Sequence, residues 1–248
     1  MLTPSLQPMG LTPATSNAPK ASAVELPKHK LLASVMSGGL AAQYMFLRRL
    51  STYGEEMTTV QLTFKNESSR NLENIKADAD NSLQSGQKFI SFPTVAVLHP
   101  GTSTNVLINV KFSSPRAPIK FEISHEAGKK SVQIAPSPGE LLVPCVLSQA
   151  QFEQHQKTLS GMNESSTPIA LVQTSSELDE LVQRVLENAN VHVGMMQPDT
   201  CYFSATSKLN KDNLCLISIK VEEKVLVVNC EDSIFRAIIL KHLQNCLN

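Results

Sequence analysis

The chain has no tryptophan and only three tyrosines among its 248 residues. Any anchor for a binding surface therefore has to be a smaller aromatic or a methionine. An excess of either charge is also missing, because 22 basic and 22 acidic residues cancel to a formal zero. That balance argues against nucleic acid as the main partner, since neutralising phosphates needs surplus Lys and Arg. It gives no reason to expect attraction to an anionic membrane by charge alone. No run approaches the ~20 apolar residues of a membrane span. Pro4, Pro8, Pro13 and Pro19 interrupt an N-terminus that lacks the apolar core of a secretory leader. The expectation is a cytosolic chain, or a fragment whose targeting lies elsewhere.

Paired cysteines are absent too. Cys145, Cys201, Cys215, Cys230 and Cys246 are odd in number and form no Cys-x-x-Cys unit. A disulfide framework or a zinc site wants tighter, paired spacing. Most of the five sit in apolar runs, where a thiol behaves as a small hydrophobe. Asn66-Glu67-Ser68 and Asn163-Glu164-Ser165 match the glycosylation acceptor pattern and, without a leader, read as chance matches.

What is present divides into three parts. Residues 1–27 are rich in Pro, Ser, Thr and Ala and hold no aromatic, so they cannot bury enough surface to offset the entropy of ordering. They read as a disordered hinge or linker arm. Residues 28–147 read as strand after strand. Val60, Leu62 and Phe64 alternate with Thr59, Gln61 and Thr63, the period-two pattern of a strand with one buried face. Val106, Ile108, Val110 and Phe112 repeat it, as do Ile119, Phe121 and Ile123, then Val132 and Ile134. Turns are expected at residues 66–71, 78–85, 100–101 and 126–130, with Gly38-Gly39 giving a bulge or turn. Short strands at this spacing predict an antiparallel β-sandwich.

Residues 148–248 read differently. After the apolar connector of residues 141–147, Ser148 is placed to cap a short helix reaching Lys157. Ser176 with Asp179 resembles a capping box, and Leu178, Leu181, Val182, Val185 and Leu186 follow helical spacing. Strands are expected at residues 191–196, 201–206, 214–221 and 225–229. A last helix starts near Asp232 and buries Phe235, Ile238, Ile239, Leu243 and Cys246. The fold class is mainly β with α+β: a sandwich, then an antiparallel sheet with packed helices.

Reactive constellations are not visible. The six histidines, His29, His99, His125, His155, His192 and His242, form no His-x-x-x-His or His-x-His unit. His242 falls on the apolar side of the last helix, where terminal carbonyls ordinarily satisfy it. Neither a phosphate loop nor a Gly-x-Ser-x-Gly elbow occurs. The acidic pairs Glu55-Glu56, Glu222-Glu223 and Glu231-Asp232 sit in turns or at helix starts. No catalytic, metal or cofactor residue is assigned, so the reading is a binding scaffold rather than an enzyme. Such scaffolds capture extended peptides at sheet edges and shallow apolar grooves.

The run Leu31-Leu32 through Ser37-Gly38-Gly39-Leu40-Ala41-Ala42-Gln43-Tyr44 resembles the start of the C-terminal appendage of the beta subunit of adaptor protein complex 3. Asn71-Leu72-Glu73-Asn74-Ile75, Pro138-Gly139-Glu140-Leu141-Leu142-Val143-Pro144 and Leu159-Ser160-Gly161-Met162-Asn163-Glu164-Ser165 fit in the same order. The resemblance implies an immunoglobulin-like sandwich followed by a platform of sheet and helices, hung from an adaptor core by a flexible hinge. It implies a role in sorting cargo from endosomes and the trans-Golgi to lysosomes and related organelles. Implied partners are the other adaptor subunits through a trunk this chain lacks, accessory trafficking proteins, and clathrin as a further candidate. The implied location is cytoplasmic, peripheral on Golgi, endosomal and coated-vesicle membranes.

Related appendages use a tryptophan-centred pocket, which cannot be carried over to a chain without tryptophan. Met162, Tyr202 and Phe203 in the platform are the candidate partner-binding residues in its place. The rival reading is an extracellular, glycosylated, immunoglobulin-like adhesion or ligand-binding protein, which five free thiols would exclude. A third is a hydrolase, which would need His192 or His242 beside an acid and a hydroxyl.

Overall fold

The computed structural model describes residues 24–170 and 177–248. Ser176, the expected helix cap, and most of the expected arm lie outside the described residues.

Nine strands come first: β1 (His29–Leu32), β2 (Leu40–Leu47), β3 (Thr58–Asn66), β4 (Leu72–Ala79), β5 (Lys88–Ile90), β6 (Val95–Leu98), β7 (Ser103–Lys111), β8 (Ile119–His125) and β9 (Gly128–Ile134). They form two antiparallel sheets, ordered β1-β2-β3-β7-β5 and β6-β4-β8-β9. The alternation read in the sequence is the alternation of burial: Val60, Leu62, Phe64, Ile108, Val110, Phe121 and Ile123 all point inward. The rings of Phe89 and Phe121 stack across the gap at 4.9 Å, and Phe64 meets Phe92 at 5.5 Å. Gly38 and Gly39 both adopt positive φ in the turn before β2. A side chain on Gly39 would come within 2.5 Å of Ser68 Cβ. β4 continues through Asp78 to Ala79, so the turn expected at 78–85 starts later; Asp78 stays in the ladder opposite Glu122 with its side chain in solvent.

The second part contains β10 (Leu142–Pro144), α1 (Gln149–Leu159), β11 (Glu164–Pro168), α2 (Glu177–Asn188), β12 (His192–Gln197), β13 (Thr200–Ser207), β14 (Leu214–Lys220), β15 (Val225–Asn229) and α3 (Ser233–Leu247). Its sheet runs β10-β13-β14-β15-β11, with β12 also paired to β13. Residues 142–144, which read as part of a connector, are thus a strand of this second sheet, with Leu142 opposite Ser207. β11 is a strand that the sequence pattern does not announce. Its residues Glu-Ser-Ser-Thr-Pro show no apolar alternation, because an edge strand needs ladder bonds and not burial to hold it.

α1 begins on a capping box, Ser148 Oγ accepting from Gln151 N while Gln151 Oε1 accepts from Ser148 N at 2.9 Å. It extends to Leu159, two residues past Lys157. α3 starts at Asp232, whose carboxylate accepts from Ile234 N and Phe235 N. Its buried side chains are Phe235, Arg236, Ile239, Leu243 and Leu247, whereas Ile238 and Cys246 are only half-buried. Arg236 is tolerated there because Ser165 Oγ and the carbonyls of Cys230 and Met162 accept its protons. One apolar cluster runs from the sandwich into the helix-covered face of the second sheet. Among the described residues no helix is long and apolar enough to cross a membrane.

Candidate functional site

Strand alternation divides the platform sheet into two unlike faces. Cys201, Phe203, Ala205, Cys215, Ile217, Ile219, Leu226 and Val228 form one face and pack in the main core with Phe235, Ile239 and Leu243 of α3. Tyr202, Ser204, Leu214, Leu216, Ser218 and Asn229 point the other way, in rows fixed by Tyr202 opposite Ser218 and Leu216 opposite Asn229. α1 is the helix that covers that second face. Phe152 and Leu159 rest on Leu216, bordered by Leu147, Tyr202 and Leu214, as a cluster separate from the main core. The Phe152 and Tyr202 rings meet edge to face at 5.0 Å. Gln156 Nε2 donates to Ser218 Oγ at 3.3 Å.

Beside α1 is a notch bounded by Leu147, Phe152, Gly194, Met195 and Tyr202. It encloses about 20 Å³, room for one water and far below the several hundred Å³ of a small-molecule site. Two features of β12 shape it. The ladder with β13 slips between Val193 and Met196, a bulge that redirects side chains. Gly194 packs on Tyr202, where an added Cβ would lie 3.2 Å from the Tyr202 carbonyl oxygen. Met195 on its rim is 51% exposed and Val146, next to Leu147, is 76% exposed, whereas Met196 pairs with Cys201 and belongs to the other face. The place is thus a shallow apolar patch with one half-buried aromatic at its floor, suited to a side chain presented by another protein.

The three candidate residues fall in three different environments. Tyr202 is in this patch. Phe203, one residue on, is fully buried against the helices, so it supports the sheet from behind and meets no partner. Met162 is 93% exposed on the one-turn helix Gly161–Asn163, just before β11. Two strands separate β11, which Met162 precedes, from β13, which carries Tyr202, and Met162 is not among the residues lining the notch. Its turn is held firmly: Arg236 Nη2 donates to Met162 O at 3.0 Å, and Cys230 N to Asn163 O at 2.9 Å. Sequence reasoning misses Val146 and Met195, because single apolar residues in a loop or on a bulged strand carry no periodic signal.

His242 and His125 have structural partners. His242 Nε2 donates to Asn188 O at 2.9 Å, at the end of α2, and His125 Nε2 to Ser37 O at 3.0 Å. His192 faces Ser204 across the ladder. Among the described residues no three His, Cys, Asp or Glu side chains are grouped to hold a metal. Burial pushes the Cys201 thiol up to about 11, and the hydrogen bond with Cys230 together with burial raises that of Cys215. Both are therefore poor nucleophiles.

Comparison with known proteins agrees with this architecture. The C-terminal family model of the clathrin-adaptor complex-3 beta-1 subunit matches residues 1–115, and the model for the C-terminal domain of AP-3 complex subunit beta-1 matches residues 139–247. AP-3 complex subunit beta-1 of Canis lupus familiaris is 29% identical over 228 residues, covering 91% of this chain and 21% of that protein. AP-3 complex subunit beta-2 of Mus musculus is 25% identical over 98% of this chain and 22% of its own length. AP3-complex subunit beta-A of Arabidopsis thaliana is 22% identical over 84% and 26%. The chain spans about a fifth of the length of the beta-1 relatives it matches. Among solved structures, the apo PmoF2 PCuAC domain aligns at a TM-score of 0.31 and 13% identity over 44% of this chain and 94% of that one, too loosely to inform the fold. Two models from one family match residues 1–115 and 139–247 in order, most of the chain, and so the chain belongs to the AP-3 beta subunit family, as its C-terminal appendage.

Proposed function

We propose that this chain is a non-enzymatic recruiting module: it gathers accessory and coat proteins for an adaptor complex that sorts cargo from endosomes and the trans-Golgi toward lysosomes and related organelles. Three parts follow the division read in the sequence, a hinge (residues 1–27), a sandwich (28–147, from which β10 pairs into the platform sheet) and a platform (148–248). The remaining four-fifths of the relatives' length would supply the trunk that joins the other subunits. Membrane association is then indirect, on the cytoplasmic side and through the complex.

The observation that carries this reading is the patch beside α1. Met195 is uncovered beside Tyr202, and Val146 is uncovered next to Leu147 of the same notch, on a sheet whose opposite face carries the main core. Apolar side chains left in solvent beside a half-buried ring mark an interaction site, and the flexible thioether of Met195 adapts to several partner shapes. Tyr202 and the separate knob at Met162 are the assigned contact residues.

The test uses the exposed positions, which alter no core contact. Beads carrying the whole chain, incubated with cytosol, should retain named trafficking accessory proteins, identified by mass spectrometry. Met195→Glu together with Val146→Glu should reduce that retention on the order of tenfold or more, with circular dichroism unchanged. Equal retention by the variant would remove the patch from the proposal. Absence of any trafficking protein from both captures would remove the recruiting role.

A further inference from the structure

Arg48 leaves the end of β2 in the sandwich and enters the platform. Its Nη2 lies 2.6 Å from Glu140 Oε1, and its Nε lies 3.0 and 3.1 Å from the two carboxylate oxygens. The same guanidinium donates to the carbonyl of Leu186 through Nη1 and to that of Glu187 at 3.1 Å through Nη2. These belong to the last turn of α2, whose carbonyls no residue of that helix can satisfy. A sandwich cation thereby caps a platform helix at the negative end of its dipole. The Arg48 and Glu140 side chains are only 14% and 6% exposed.

The surrounding backbone is fitted to this arrangement. Glu140 sits in the turn Pro138–Leu141 that joins the two parts. A Cβ on Gly139 would overlap Asn188 O and lie 2.8 Å from Ala189 Cα, so only glycine lets the turn touch the end of α2. Asn190 N closes the contact on Gly139 O at 2.9 Å. On the far side Lys208 N donates to Leu141 O at 2.8 Å, and Lys208 Nζ reaches Thr58 Oγ1 in the sandwich at 3.3 Å.

We infer that the Arg48–Glu140 pair is a clamp that fixes the angle between sandwich and platform, so that the two parts present their surfaces as one rigid body. A buried ion pair is a poor choice for stability alone, since apolar side chains of similar volume usually do as well or better. What apolar contact lacks is direction. Five hydrogen bonds from one planar guanidinium, to a carboxylate and two carbonyls, define an orientation that the apolar cluster alone leaves free to slide.

Orientation and stability are separated by measuring residual dipolar couplings on the whole chain. In the native protein, backbone amides of β3 and β14 should fit a single alignment tensor. Arg48→Met with Glu140→Leu keeps the burial and removes the directional bonds. Both sheets should stay folded, with amide shifts away from the junction unchanged, while their tensors diverge. Arg48→Lys, which keeps the charge and loses the fork, should diverge in the same sense and serves alone if the double variant does not fold. A native protein that needs two tensors, or an Arg48→Lys protein that fits one tensor at the native orientation, would overturn the clamp.

Discussion

The two faces of the platform sheet are built from the same two-residue alternation of the strands and end up with opposite properties. Behind the sheet, α2 and α3 seal Phe203, Ile217 and Val228 into a cluster continuous with the sandwich core. In front, α1 contributes two buried side chains, Phe152 and Leu159, to a cluster with one buried partner, Leu216. The lesson is that burial of a strand's alternate residues says nothing about how firmly each side is held. The rear face is part of the global fold, while the front face is a local attachment, and exposed Met195 lies where cover is thin.

The comparison breaks most visibly under matched truncations. Phe203→Ala, at a fully buried site with no room to relax, should cost ~3–5 kcal/mol in global stability by urea denaturation. A loss under about 1 kcal/mol would mean that the rear face is not the core. Thiol chemistry sharpens the contrast next. Cys201, Cys215 and Cys230 are buried on the rear side, with the Cys201 thiol pushed up to about 11 by burial and by Asp179. Cys145, half-buried next to Ser204, borders the front. At pH 8 iodoacetamide should modify Cys145 faster than Cys201 by on the order of 100-fold or more, read by peptide mass mapping. Comparable rates would put the two faces on one footing.

Phe152→Ala should cost less than its rear counterpart, about 2 kcal/mol, because solvent and side chains can collapse into the thin front cluster. Amides of α1 should lose hydrogen-exchange protection while those of β14 keep theirs. Uniform loss across the sheet would show that α1 is integral to the fold. Smallest is the cap. Ser148→Ala removes the acceptor for Gln151 N and should cost about 1 kcal/mol, confined to α1.

Much of this is legible in the chain. Alternation marks β3, β7 and β8, since each has one face in a core, while near-continuous apolar runs mark β14 and β15, which are buried on both faces. Helical spacing marks α2 and α3, and Ser148 and Asp232 mark two helix starts. Other features are not legible, each for its own reason. β11 is polar and held by ladder bonds to β15. Tyr202 and Phe203 necessarily face opposite ways, but which of them faces the thinner cover depends on where α1 docks. Arg236 reads as a surface charge and is buried because carbonyls from distant turns converge on it. The Arg48–Glu140 pair joins residues 92 positions apart, and Gly139, which resembles an ordinary turn glycine, is required by a helix end about fifty positions downstream.

The separate seating of α1 bears on time as well as on space. A helix of 11 residues resting on so few contacts can lift while the sheet beneath keeps its ladder. A ligand side chain that slips onto Leu214 and Leu216 during such an excursion is roofed over when the helix returns. Its residence is then governed by how often the roof rises, so dissociation would slow when α1 is stiffened by alanine at exposed Gln154, with the contacting atoms left untouched.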